Sequence, residues 1–140
     1  ATLLEDNTAL TCLKIVSHSI RRVDYFQTLS CLKGNVTLKT LHLSCFLELE
    51  EDDDKCCEEA GELVSAVQKN YGLESLGGGI ESRVPVVRAI LRLNSVGRRY
   101  LVQDAASAAK GCALLSAVSD DLDCLYFHLL ENPSLCESLE

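Results

Sequence analysis

Leucines recur along the first half of the chain in a fixed frame. Asn7-Thr8-Ala9-Leu10-Thr11-Cys12-Leu13, Asn35-Val36-Thr37-Leu38-Lys39-Thr40-Leu41 and Asn70-Tyr71-Gly72-Leu73-Glu74-Ser75-Leu76 all read Asn-x-x-Leu-x-x-Leu. In the first two, an apolar residue follows two places on, Ile15 and Leu43, giving the alternation of a strand buried on one face. Gly77 and Gly78 break the third. Leu10 to Leu38 is 28 residues and Leu38 to Leu73 is 35, and the acidic run 48–54 accounts for the excess as a solvated loop.

Between these segments the apolar period becomes helical. Ile20, Val23, Phe26, Leu29 and Leu32 form one stripe, and Cys57, Ala60, Leu63, Val64 and Val67 form another. A third helix is expected over 84–93, with Pro85 in its first turn and Val84, Val87, Ile90 and Leu91 on one side. Gly97 then marks a helix end or turn. The alanine-rich segment 105–118 reads as helix, with Ala109, Cys112, Ala113 and Leu115 at packing spacing. Asp120 reads as the N-cap of a last helix over 121–131. Leu122, Leu125, Tyr126, Leu129 and Leu130 would line its apolar face, and Asn132-Pro133 would end it.

Strand and helix in alternation, the 28-residue step and the Asn-x-x-Leu-x-x-Leu frame resemble leucine-rich repeats of the ribonuclease-inhibitor type, over residues 7–93. The resemblance implies an α/β fold: a short leucine-rich-repeat solenoid, parallel strands inside and helices outside, with an α-helical C-terminal cap. Residues 1–101 would form about three repeats, the third irregular, and 102–140 the cap, packed as one domain with them. The stretches Leu93-Asn94-Ser95-Val96-Gly97-Arg98-Arg99-Tyr100-Leu101, Leu115-Ser116-Ala117-Val118 and 127–133 also resemble the C-terminal part of leucine-rich-repeat proteins of diatoms and related algae. That likeness brings no activity and no functional residue. The chain enters its first strand within about ten residues, so further repeats before residue 1, or a partner over that edge, are expected.

Composition narrows the partners. The chain has 140 residues, one domain's worth, with 13 basic and 21 acidic side chains for a net charge of −8. That balance disfavours nucleic-acid phosphates and anionic membrane surfaces and favours basic protein partners. No apolar run approaches the roughly 18 to 20 residues of a membrane span, and no signal peptide is visible. Of the eight cysteines, Cys12, Cys45, Cys57, Cys112 and Cys124 sit inside apolar patterns and read as reduced, small buried hydrophobes. The expected location is therefore intracellular, cytoplasmic, with a plastid as the alternative.

Candidate chemistry is sparse. Cys56-Cys57 with Cys45 and His42 has no C-x-x-C pair of a zinc site, and Asp52, Asp53 and Asp54 lack the spacing of a calcium loop. Gly77-Gly78-Gly79 fits no phosphate-binding frame, and no nucleophile signature occurs. Neither a catalytic residue, a cofactor nor a metal is expected. Arg83, Arg88, Arg92, Arg98 and Arg99 make one basic patch, either paired with nearby acids or free to dock an acidic partner. The expected function is protein–protein interaction, through the outward strand positions Thr11, Cys12, Lys14, Lys39, Thr40, His42, Glu74 and Ser75, with Arg88 and Arg92 as further candidates. An accessory subunit of a larger assembly is the alternative, and an enzyme a remote one.

Overall fold

The computed structural model describes residues 4, 6–16, 22–32, 35–44, 53–77, 84–98, 108–133 and 135. Each Asn-x-x-Leu segment leads into a strand: β1 is Cys12–Val16, β2 is Thr40–Ser44 and β3 is Ser75–Leu76. The strands pair in parallel in the order β1-β2-β3, Leu13 beside Leu41, Ile15 beside Leu43 and Leu41 beside Leu76. Parallel neighbours need a crossover, and helices supply it: α1, Arg22–Cys31, and α2, Asp53–Gln68. Then come α3, Pro85–Ser95, α4, Ala108–Ala117, and α5, Leu122–Glu131. Helix α1 lies against α2, α2 against α3, and α3 against α5.

This arrangement corrects the expected leucine-rich-repeat solenoid with its helical cap. The described residues form one sheet of three short parallel strands and five helices, and no solenoid of repeats. The reason lies in the third segment, where Gly78 stands in place of the apolar Ile15 and Leu43, and β3 is only two residues long. Beyond α3, the described residues bring α4 and α5 instead of another strand.

The interior is built from the repeated leucines. Leu38, Leu41, Leu43, Leu73 and Leu76 are buried against Leu29 and Leu32 of the first crossover, Leu63 and Val67 of α2, and Val87, Ile90 and Leu91 of α3. Full burial of each such side chain stabilises by about 1.5–3 kcal/mol. Strand β1, at the sheet edge among the described residues, is covered less: Ile15 and Val16 remain 38% and 63% exposed.

The asparagine that opens each segment shapes its own turn, and in the second and third segments it also links back to the segment before. Asn7 Oδ1 accepts the amides of Ala9 and Leu10, Asn35 Oδ1 those of Thr37 and Leu38, and Asn70 Oδ1 those of Gly72 and Leu73, all at 2.7–3.0 Å. Backwards, Asn35 Nδ2 donates to the carbonyls of Leu4 and Asn7, and Asn70 Nδ2 to those of Leu32 and Asn35. A primary amide has one acceptor oxygen and two N–H donors, and this geometry uses all of them. The segments approach closely enough that a Cβ on Gly72 would lie 2.7 Å from the carbonyl oxygen of Val36, with no flexible side chain to give way.

Asn94, in the last turn of α3, continues the series and ends it. Its Nδ2 donates to the carbonyls of Asn70 and Leu73 at 2.8 and 2.7 Å, but its Oδ1 accepts from Arg98 Nη1 at 3.2 Å. Arg98 is only 2% exposed. Its Nε and Nη2 donate to the two oxygens of Glu131 on α5, and Nη2 also to the carbonyl of Gln68. The rings of Tyr71 and Phe127 lie 4.8 and 5.7 Å from its guanidinium carbon. Gly97, at φ 105°, is the left-handed turn that follows α3 directly before this arginine.

These anchors rotate the apolar face expected for α5, of which Leu125 packs partly buried against the core and Leu129 is half-buried. Cys124, Phe127 and His128 are buried, while Leu122, Tyr126 and Leu130 are 80%, 71% and 64% exposed. Glu131 and Phe127 must meet Arg98, and that fixes the helix rotation. The N-cap is Asp121, not Asp120: its carboxylate accepts the Cys124 amide at 3.1 Å. On α4 the buried side is Gly111, Leu114 and Val118, so Ala109, Cys112 and Ala113 face solvent. Helix α2 starts at Asp53, so Asp53 and Asp54 belong to its first turn and not to the expected loop. The acidic residues 48–52, residues 105–107, Ile20, Cys45, Gly78, Gly79, Arg83 and Arg99 lie outside the described residues, as do the side chains of Val23, Phe26, Cys56 and Cys57.

His128 is fully buried with Nε2 unpartnered. Burial holds its pKa below the ordinary histidine value; Arg98 acts in the same direction, while Glu131 and a backbone hydrogen bond with Gly111 oppose. Well above pH 6.5 both folded and unfolded chains carry a neutral imidazole, so its titration adds no pH dependence to stability. As pH falls below 6.5 the unfolded chain takes up the proton first, and stability declines until the folded-state pKa is passed. Urea denaturation between pH 7.5 and 5 should show this decline, at a slope below about 1.4 kcal/mol per pH unit for one proton. A His128→Leu variant should lose it.

Candidate functional site

The parallel register sets the expected contact residues in rows. Cys12, Thr40 and Ser75 are direct neighbours across β1, β2 and β3, and Lys14 lies beside His42. One residue earlier, the amides of Lys39 and Thr40 donate to the Thr11 carbonyl, and those of Glu74 and Ser75 to the Lys39 carbonyl. Thr11, Lys39 and Glu74 thus make a third row. Adjacent parallel strands sit about 4.8 Å apart, so Cys12, Thr40, Ser75, Lys14 and His42, which alternate with the core leucines, share one small face, while Thr11, Lys39 and Glu74 form a row just before the strands. Thr11, Cys12, Lys14 and Lys39 are exposed, and Thr40, His42, Glu74 and Ser75 half-buried.

Two details shape this surface. The His42 imidazole occupies the space that a Cβ on Gly77 would take, 1.9 Å from Nδ1, so glycine at 77 lets the histidine lie over the end of β3. Lys39 Nζ reaches Glu74 Oε1 at 2.8 Å, and the two side chains are 49% and 30% exposed. An ion pair this open contributes only about 0.2–1 kcal/mol and is readily exchanged for another partner.

Beside that pair lies a cavity of about 200 Å³, bounded by Lys39 and Glu74, by Tyr71, and by the turn 94–97 at the C-terminal end of α3. Val96 on its rim is 39% exposed. Of these residues only Lys39 and Glu74 stood out in the sequence. Tyr71 fills an x position of the asparagine frame, and the turn follows an asparagine placed 24 residues after Asn70; that spacing was the one available signal.

Arg88 and Arg92 are placed elsewhere. Arg88 pairs with Asp123 at 3.0 Å, and Arg92 with Asp120 and Asp121, across the contact between α3 and α5. With Arg98 on Glu131, the described arginines of the basic patch are all matched by carboxylates of the C-terminal segment. Asp121 is held below the usual carboxylate range, first by the Cys124 amide and then by the arginines.

The cysteines divide. Cys124 is buried, its thiol pushed up to about 12 by burial and by Asp121, and it is therefore protonated and unreactive at neutral pH. Cys12 and Cys112 are exposed, contrary to the buried role expected of them, and Cys31 is half-buried; all four are free thiols. Among the described residues no three His, Cys, Asp or Glu side chains gather as a metal site requires, and no helix is long and apolar enough to cross a membrane.

No protein-family model, no curated protein and no solved structure matches the chain.

Proposed function

We propose that the chain is a protein–protein interaction module that binds its partner through the exposed face of the three strands. One observation carries this reading: the side chains of Cys12, Lys14, Thr40, His42 and Ser75, of mixed chemistry, stand in register on a sheet whose other face packs on the leucine core. Rigid backbone beneath variable, accessible side chains is what recognition needs, because little conformational freedom is lost on binding. The net charge of −8 supports a basic protein partner over nucleic acid or an anionic membrane. Kinship with ribonuclease-inhibitor-type repeat proteins belongs to the same proposal and is supported by the recurring asparagine hydrogen bonds. So does an intracellular location, in keeping with the free thiols.

The test is Thr40→Arg, at the centre of the middle row and half-buried, which places a large cation among the contact residues. In affinity capture followed by quantitative mass spectrometry, the stoichiometric partner of the wild-type chain should fall at least about tenfold, with thermal stability retained. Equal recovery would reject the strand face as the binding surface. A second reading, an accessory subunit of an assembly, is favoured by the exposed Ile15 and Val16 on β1. In that case Val16→Asp, and not Thr40→Arg, would release the chain from its complex.

A further inference from the structure

We propose that the cavity beside Lys39 and Glu74 receives a basic side chain of the partner protein, arginine above lysine, and that Lys39 is the internal cation this side chain displaces. The proposal rests on the protein-binding reading and names the chemistry the partner brings.

The cavity, about 200 Å³, has room for the end of one long side chain. The groups that face it favour a cation. Glu74 supplies a carboxylate that is already satisfied by an ammonium at 2.8 Å, which shows the charge and distance it accepts. The turn 94–97 closes the C-terminal end of α3 and carries the negative end of its dipole, with the Arg92 and Asn94 carbonyls accepting the amides of Val96 and Gly97. Tyr71 adds a ring that already has Arg98 stacked at 4.8 Å. Among the described residues Lys39 is the one cation lining the cavity, beside Glu74 and the helix end, because the Arg98 guanidinium is 2% exposed and committed to Glu131 and Asn94.

Displacement is easy because the Lys39–Glu74 pair is exposed. An arriving guanidinium offers a planar fork of donors, able to engage the carboxylate and a carbonyl together, which a single ammonium does less well. Lys39 would then turn to solvent, with nothing buried left unpaired.

Titration of the full, isotope-labelled chain with N-acetyl-arginine N-methylamide, followed by NMR, tests this. Saturable shifts are expected at the amides of Tyr71, Glu74, Val96 and Gly97. The uncharged citrulline analogue should leave them unmoved, and Glu74→Gln should abolish the response. Lys39→Ala, which frees the carboxylate, should tighten binding about threefold or more. That sign is diagnostic, since a site built around Lys39 for an acidic ligand would weaken instead. Absence of shifts in both the wild type and Lys39→Ala overturns the proposal, as does a stronger response to N-acetyl-aspartate N-methylamide. Because the probe is a single residue, failure here with Thr40→Arg still abolishing partner capture rejects the pocket alone, whereas equal capture by Thr40→Arg rejects the strand-face reading itself.

Discussion

Asn70→Asp should destabilise the chain by about 4 kcal/mol or more, enough to unfold much of it at room temperature in urea denaturation followed by circular dichroism. Aspartate keeps the acceptor for the Gly72 and Leu73 amides but turns a carboxylate oxygen on the carbonyls of Leu32 and Asn35, in a site 2% exposed. Two buried acceptors lose their donors, at about 1–3 kcal/mol each, and an unpaired charge is buried with them. The same substitution at Asn35 strips the carbonyls of Leu4 and Asn7 and should be comparably severe. At Asn7, where the described bonds are made through Oδ1 alone, it should cost below about 1 kcal/mol. That gradient distinguishes a linking role from a merely local turn role.

Glu131→Ala should lower stability by about 3 kcal/mol, although it is a single charged residue near the end of a short helix. It leaves Arg98, buried between Tyr71 and Phe127, without its counter-ion. Arg98→Lys should cost a similar amount, because an ammonium cannot reach Glu131, Asn94 and Gln68 together. Removing both charges, as Arg98→Met with Glu131→Leu, should recover part of the loss. A double-mutant cycle by thermal denaturation would measure the coupling, and additive effects would show that the pair is not linked.

The strands and the first three helices were legible in sequence because each repeats a pattern with a single physical meaning. Leu38, Leu41 and Leu73 at fixed distances from asparagine can only be core, and Val87, Ile90 and Leu91 share one helical face. Three matching segments suggest a continuing array, yet β3 is only two residues long and, among the described residues, α4 and α5 follow α3. The C-terminal half misled for another reason. Hydrophobic counting places Leu122, Tyr126 and Leu130 inward, whereas polar anchors, Glu131 on Arg98 and the aspartates on Arg88 and Arg92, decide how α5 sits. Such pairings join residues about 30 apart in sequence and leave no periodic trace. Cys12, Lys14, Thr40, His42 and Ser75 were legible as residue types on alternating strand positions, but the cavity beside them depends on a turn at Gly97 that brings Val96 and Asn94 next to Tyr71.

Site-specific photo-crosslinking would show whether the exposed strand face is where a protein partner binds. Benzoylphenylalanine would be placed one position at a time at Cys12, Thr40 and Ser75, and at the exposed helix positions Gln27 and Ser65. Adducts with one and the same protein are expected from all three strand positions and none from the helices. Adducts from Gln27 or Ser65 with the strand positions unlabelled would contradict binding at that face.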